Sequence, residues 1–301
     1  QCIELLIDRQ ADINARDANN ATPLHAASWQ GHHQCIELLI DRQADVDARD
    51  AENATPLHGA SMQGHGQCIE LLIDRQADVD ARDAENATPL HGASMQGHGQ
   101  CIELLIDRQA DVDARDANNA TPLYYASMQG HHQCIELLID RQADLDARDA
   151  YNATPLHYAS MQGHHQCIEL LIDRHADINA RGTKNNTPLH AASMQGHRQC
   201  IELLIDFGAD KQSAMFVTAA TISRVPIAHI RHWQDDNQTA DQVAKTPKIA
   251  QLFDIEVRSI SFGIVAINHH PSIDQIRSIS LSLTHSLTHS LTHSLTISHS
   301  L

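Results

Sequence analysis

The sequence predicts an all-α solenoid of stacked helix-turn-helix units, and three observations predict it. Seven cysteines, Cys2, Cys35, Cys68, Cys101, Cys134, Cys167 and Cys200, stand 33 residues apart at every step. Thr-Pro recurs with the same period, at Thr22, Thr55, Thr88, Thr121, Thr154 and Thr187. Each period carries two short apolar segments separated by a Gly-His turn. One such unit cannot bury its own apolar face, so neighbours must stack. The period therefore outranks the two-domain organisation that a length of 301 residues suggests.

Residues 50–82 show how each element arises. Thr55 caps a helix with its hydroxyl, and Pro56 suits the first helical position, where no N–H is needed. Leu57 and Ala60 form the inward face of this short helix, and Gly64 ends it in a left-handed conformation. The second helix reads QCIELLIDR: Cys68, Ile69, Leu71, Leu72 and Ile73 are apolar at helical spacing, with Glu70 and Asp74 left for water. Residues 77–86 form an extended finger, a β-hairpin loop leading to the next unit. Asn86 occupies its turn, and Asn tolerates left-handed backbone best among residues with a side chain; Asn20, Asn53, Asn119, Asn152 and Asn185 are its copies.

TPLH is intact at Thr22–His25, Thr55–His58, Thr88–His91, Thr154–His157 and Thr187–His190, and reads TPLY at Tyr124. With the period of 33, this motif resembles the ankyrin-repeat family over roughly residues 1–213. The resemblance implies a protein–protein interaction module with no activity of its own. One departure is systematic. Where the family closes the second helix with Gly, this chain has Gln10, Gln43, Gln76, Gln109 and Gln142, then His175, and only Gly208 fits.

The domains expected are a partial unit at 1–16, six full units at 17–213, an insertion and degenerate capping unit at 214–255, and a disordered low-complexity tail at 256–301. The capping unit rests on 235–253, where Thr239-Ala240 stands for Thr-Pro and Val243-Ala244 for the inner helix. The tail repeats SLTH, which a tandem tetranucleotide encodes in any frame, so it reads as translated repetitive DNA. The chain begins inside a unit at Gln1, which reads as a fragment.

Composition excludes several functions. With 38 Asp+Glu against 21 Lys+Arg the formal charge is −17, unsuited to nucleic acid or an anionic membrane as main partner. No apolar run of membrane-spanning length occurs. No P-loop, GxSxG or HExxH motif is present, so no catalytic residue and no cofactor is assigned. Equivalent cysteines in stacked helices stand about 8–10 Å apart, too far for a disulfide, and lie on an apolar face. Buried reduced thiols at this density suit an intracellular compartment, cytoplasmic or nuclear. The 23 histidines, including His32-His33, His131-His132 and His164-His165, do not converge at zinc-ligand distances and read as structural or solvent-exposed. The TPLH rings act in the family as structural hydrogen-bond partners. Asn-Ala-Thr at Asn20 and its copies matches a glycosylation sequon by coincidence of turn and cap.

Function in a repeat array resides in the positions that vary or align on the common frame. Residues 50–82 and 83–115 are identical, a sign of recent duplication. In the family, the residues before the helix-turn glycine face the concave groove. Here they are Trp29-Gln30, Met62-Gln63, Met95-Gln96, Met128-Gln129, Met161-Gln162 and Met194-Gln195. They form either a peptide-binding stripe, since Met adapts to many surfaces, or a packing row copied by duplication. The finger position reads Asn19, Glu52, Glu85, Asn118, Tyr151 and Lys184. Trp29, the stripe residues, Glu52, Glu85 and Tyr151 are the candidate partner-binding residues; Tyr125 and Tyr158 read as packing residues. The acidic positions are either a solubilising surface or an acidic groove that steers a basic partner. The expected whole is a monomeric module binding a protein or peptide. The alternatives are the ankyrin portion of a larger kinase, channel or ubiquitin-ligase adaptor, or a spacer array without a ligand.

Overall fold

The structure, a computed structural model, describes residues 10–210. The capping unit and the tail expected at 214–255 and 256–301 lie outside the described residues, as do positions 1–9 of the leading half-unit.

Among the described residues, helices follow one another in pairs. The first helices are α1 (Pro23–Trp29), α3 (Pro56–Gln63), α5 (Pro89–Gln96), α7 (Pro122–Gln129), α9 (Pro155–Gln162) and α11 (Pro188–Gln195). The second helices are α2 (His33–Asp41), α4 (Gly66–Asp74), α6 (Gly99–Asp107), α8 (His132–Asp140), α10 (His165–Asp173) and α12 (Arg198–Asp206). Each first helix packs on its own partner and on the first helices before and after it; the second helices stack likewise. The result is two parallel rows.

The core lies between the rows. Leu57, Ala60, Ile69 and Leu72 are wholly buried, and so are their counterparts one unit on, Leu90, Ala93, Ile102 and Leu105. Leu71 and Ile73 are half-buried against that core. The cysteines Cys68, Cys101, Cys134, Cys167 and Cys200 are free and buried in it, while Cys35 is half-buried. Burial pushes the Cys101, Cys134 and Cys167 thiols up to about 11, which keeps them protonated at neutral pH.

The joints are made by polar contacts. Thr55 N–H donates to His58 Nδ1 (3.1 Å), and His58 Nε2–H donates to the carbonyl of Ala87 in the next unit (3.1 Å). His25, His91 and His157 repeat this bridge to Ala54, Ala120 and Asn186. One ring thus caps its own helix and holds the next finger. Along the second helices runs a ladder of ion pairs: Arg75–Asp41 (2.8 Å), Arg108–Asp74 (2.6 Å), Arg141–Asp107 (2.7 Å) and Arg174–Asp140 (2.7 Å). Asp74, expected to be merely solvated, is therefore also a pairing residue. Exposed pairs of this kind contribute only some tenths of a kcal/mol each.

The fingers are tight turns, and no described residue is in a strand. Asp50 Oδ1 accepts from the N–H groups of Glu52 and Ala54, both at 2.9 Å, and closes the loop around Asn53 at φ 61°. The finger of α11 lacks the aspartate and has Gly182 instead. There Thr183–Asn185 form a 3-10 turn, with Lys184 and Asn185 both left-handed.

The systematic glutamines occupy the strained position that the sequence assigns them. Gln10, Gln43, Gln76, Gln109 and Gln142 have φ between 67° and 72°, and His175 has 73°. A side chain there costs about 1 kcal/mol relative to Gly. Replacing Gln76 with Gly is expected to stabilise the array by up to that amount, read as a higher urea midpoint at unchanged m-value; a lower midpoint would contradict the strain.

A second expectation follows from the bridging rings. Desolvation lowers the pKa of His25, His58, His91 and His157 below the ordinary 6.5. Below 6.5 the unfolded chain binds protons that the folded chain does not, so stability falls with pH from that point down. Urea midpoints should be level above about pH 7.5 and drop progressively below 6.5. A midpoint unchanged between neutral pH and about pH 5 would show that the rings are not held neutral.

Candidate functional site

The candidate stripe residues sit at the C-terminal ends of the first helices, and five of the six are fixed in place by a ring from the next unit. His65 Nε2–H donates to the carbonyl of Trp29 (3.0 Å), His98 to Met62 (3.1 Å), His131 to Met95 (3.0 Å), His164 to Met128 (3.1 Å) and His197 to Met161 (2.9 Å). The same ring covers the glycine that follows. A Cβ placed on Gly64 would lie 2.7 Å from the His98 ring, and Gly64 has φ 78°, so two independent constraints require glycine. These five histidines, expected to be structural or solvent-exposed, are half-buried and act as rivets between units, whereas His32 is exposed. Their invariance at 33-residue intervals, at positions 32, 65, 98, 131, 164 and 197, is the sequence signal for this role.

The stripe is partly open. Met62, Met95, Met128 and Met161 are half-buried, and the glutamines Gln30, Gln63, Gln96, Gln129, Gln162 and Gln195 are exposed. Its two ends are open, with Trp29 46% and Met194 75% exposed. The methionines are neither fully buried nor fully open: Met62 lies against the next unit and all four still present surface. The contact is visible at the position after TPLH. A Cβ on Gly59 would meet Trp29 at 3.5 Å, and one on Gly92 would meet Met62 at 3.6 Å.

The finger positions form a second row in register. The carbonyls of Asn19, Glu52, Glu85, Asn118 and Tyr151 accept from Ala51, Ala84, Ala117, Ala150 and Thr183 of the following fingers, at 2.7–3.0 Å. Glu52 and Glu85 are exposed, and Tyr151 is 63% exposed. Asp80 and Asp113, at the finger bases, have carboxyls raised by desolvation and then by neighbouring carboxylates.

Sequence reasoning missed a tyrosine cluster. Tyr124 lies edge-on to Tyr125 (4.9 Å between centroids) and to Tyr158 of the next unit (4.3 Å). The hydroxyls of Tyr125 and Tyr158 donate to Asp116 and Asp149, each at 2.7 Å. Tyr124 keeps the Thr121 cap through its own N–H but makes no imidazole bridge. Burial, then the neighbouring carboxylates, raise all three phenols above their ordinary value. The signal was present in the departure from TPLH and in the residues after it.

Among the described residues no group of His, Cys, Asp or Glu is placed to hold a metal ion, and no helix is long and apolar enough to cross a membrane. What the structure offers is a periodic surface on a helical-repeat frame. The ankyrin-repeat model, three copies of a domain described as ankyrin repeats, matches residues 1–83, 77–149 and 146–215, and the chain belongs to that family. Among solved structures it is similar to the human ASB11 ankyrin repeat domain, at 30% identity over 63% of this chain and 85% of that one, with a TM-score of 0.58. No curated protein matches the chain. Ankyrin repeats are in general protein–protein interaction modules rather than enzymes.

Two substitutions test the rivet. His98→Ala removes the donor to Met62 and is expected to cost about 1–3 kcal/mol. Gly64→Ala, opposed by both backbone and ring, is expected to cost at least as much. Urea titrations followed by circular dichroism measure both, and wild-type midpoints would refute the joint.

Proposed function

We propose that the array is an interaction module whose groove, between the Trp/Met stripe and the row of fingertips, receives an extended segment of a protein partner of basic character. The observation that carries this reading is the stripe itself. Six apolar side chains recur at one helical position, five with main chains pinned to the next unit, and each is flanked by an exposed glutamine. Such a surface is preorganised, so a partner orders little of it on binding. Glu52 and Glu85 on the fingertips, and the formal charge of −17, support a basic partner by complementarity. The protonated, buried thiols support an intracellular setting.

The test is affinity capture from lysate with the full chain, beside a variant with Met62, Met95, Met128 and Met161 changed to Lys, after circular dichroism establishes equal helicity. A second variant carrying Glu70→Lys and Glu103→Lys alters the second-helix face and serves as control. Partner loss of at least about tenfold in the methionine variant, with retention in the control, is expected. The reverse pattern would move the binding surface to the second helices.

A further inference from the structure

The tyrosine cluster breaks the uniformity of the array in one place. Where other units carry Gly59, Gly92 or Ala191 after TPLH, α7 and α9 carry Tyr125 and Tyr158. The contacts of Gly59 with Trp29 and of Gly92 with Met62 set this position against the stripe of the preceding unit. By the repeat, Tyr125 and Tyr158 rise beside Met95 and Met128. The rings are half-buried, so each keeps part of its surface open. Tyr151, on the finger leading into α9, adds an exposed ring.

At the hydroxyl ends of two of these rings lie two carboxylates. Asp116 and Asp149 are only 8% and 9% exposed. Asp116 accepts from Asn118 N–H, Ala120 N–H and the Tyr125 hydroxyl. Asp149 accepts from Tyr151 N–H, Ala153 N–H and the Tyr158 hydroxyl. All these donors are neutral. The adjacent Arg115 and Arg148 direct Nη1 to main-chain carbonyls, those of Asn119 and Arg148 for the first and of Asn152 and Arg181 for the second. The equivalent Asp50 and Asp83, with no tyrosine over them, are half-exposed and screened by water. Two buried carboxylates, satisfied in hydrogen bonds but in no ion pair among the described residues, therefore sit at the hydroxyl edges of the rings, with Glu85 exposed on a nearby fingertip.

We propose that the tyrosine cluster of α7 and α9 is a subsite of the groove for an arginine side chain of the partner. It rests on the groove reading above and gives the basic partner a specific anchor. A guanidinium is planar and weakly hydrated, so it lies flat on a tyrosine ring, while the carboxylates at the hydroxyl edges attract its charge. The fork can also engage Glu85. A lysine ammonium holds the charge but has no plane to stack.

A random linear peptide library selected on the full chain tests this. The probes are the selected peptides, re-measured with Arg→Ala and Arg→Lys replacements. The variants are Tyr151→Leu, at an exposed site, and Tyr124→His, which removes the central ring while restoring the TPLH of the other units and so keeps the fold. Arginine is expected at a fixed position of the peptides. Its replacement by Ala should weaken binding about tenfold on the parent chain and less than about threefold on the ring variants, with Lys in between. Peptides that bind and are lost on the Met→Lys variant, but show no arginine dependence or the same dependence on the ring variants, overturn the subsite and leave the groove reading standing. Equal binding of Arg and Lys peptides also overturns it. If selection on the parent yields no binder, the groove reading fails and the subsite with it.

Discussion

A single imidazole ring bonded on both sides is the contact on which the array depends. His58 accepts the Thr55 N–H and donates to the Ala87 carbonyl. The first bond fixes a helix start and the second fixes the next unit relative to it. Both need the same neutral tautomer, with Nδ1 bare and Nε2 carrying the proton. Because the bridge recurs at His25, His58, His91 and His157, small geometric errors do not accumulate freely along the chain. The register of the stripe and of the fingertips follows from this joint and from the second ring, His98, that holds Met62. The hydrophobic core supplies the cohesion but is nearly uniform along the rows, and uniform contacts do not set a register.

The unit of α7 gives up the bridge at Tyr124 and has a ring cluster in exchange. Edge-on aromatic contacts contribute of the same order as the hydrogen bond they replace. The substitution therefore leaves cohesion roughly level while changing the surface. Tyr125 and Tyr158 cover Asp116 and Asp149, which are buried where the equivalent Asp50 and Asp83 are half-exposed. In a chain whose other units are near copies, such a place gives the surface a direction.

Much of the architecture was legible in the residues. The cap at Thr55, the glycine stop at Gly64, the core set Leu57, Ile69 and Leu72, and the left-handed backbone at Asn53 and Gln76 all follow from local chemistry. What was not legible depends on contacts between units. Nothing in GHG or GHH says that the histidine will cover the preceding unit's glycine, since that requires the stacking distance. The exposure of the methionines could not be read from one helix either, because the next unit decides it. The buried serines Ser61, Ser94 and Ser127 show another limit. Packing admits only a small side chain there, and their hydroxyls have no hydrogen-bond partner. The tyrosines were visible as departures from the pattern, but their joint geometry spans two units and was not.

The two identical stretches, 50–82 and 83–115, have a consequence for the gene as much as for the protein. Excision of one would bring His131 over Met62 in place of Met95, through an interface already present elsewhere in the chain. No new contact would have to be invented, and no old one left open. A length change of 33 residues is thus a milder event for this molecule than insertion of a single residue in a helix, which would turn a whole face away from its neighbour. Copy number is a neutral coordinate of such a protein, and alleles differing by whole units can coexist in a population as interchangeable rulers of different length.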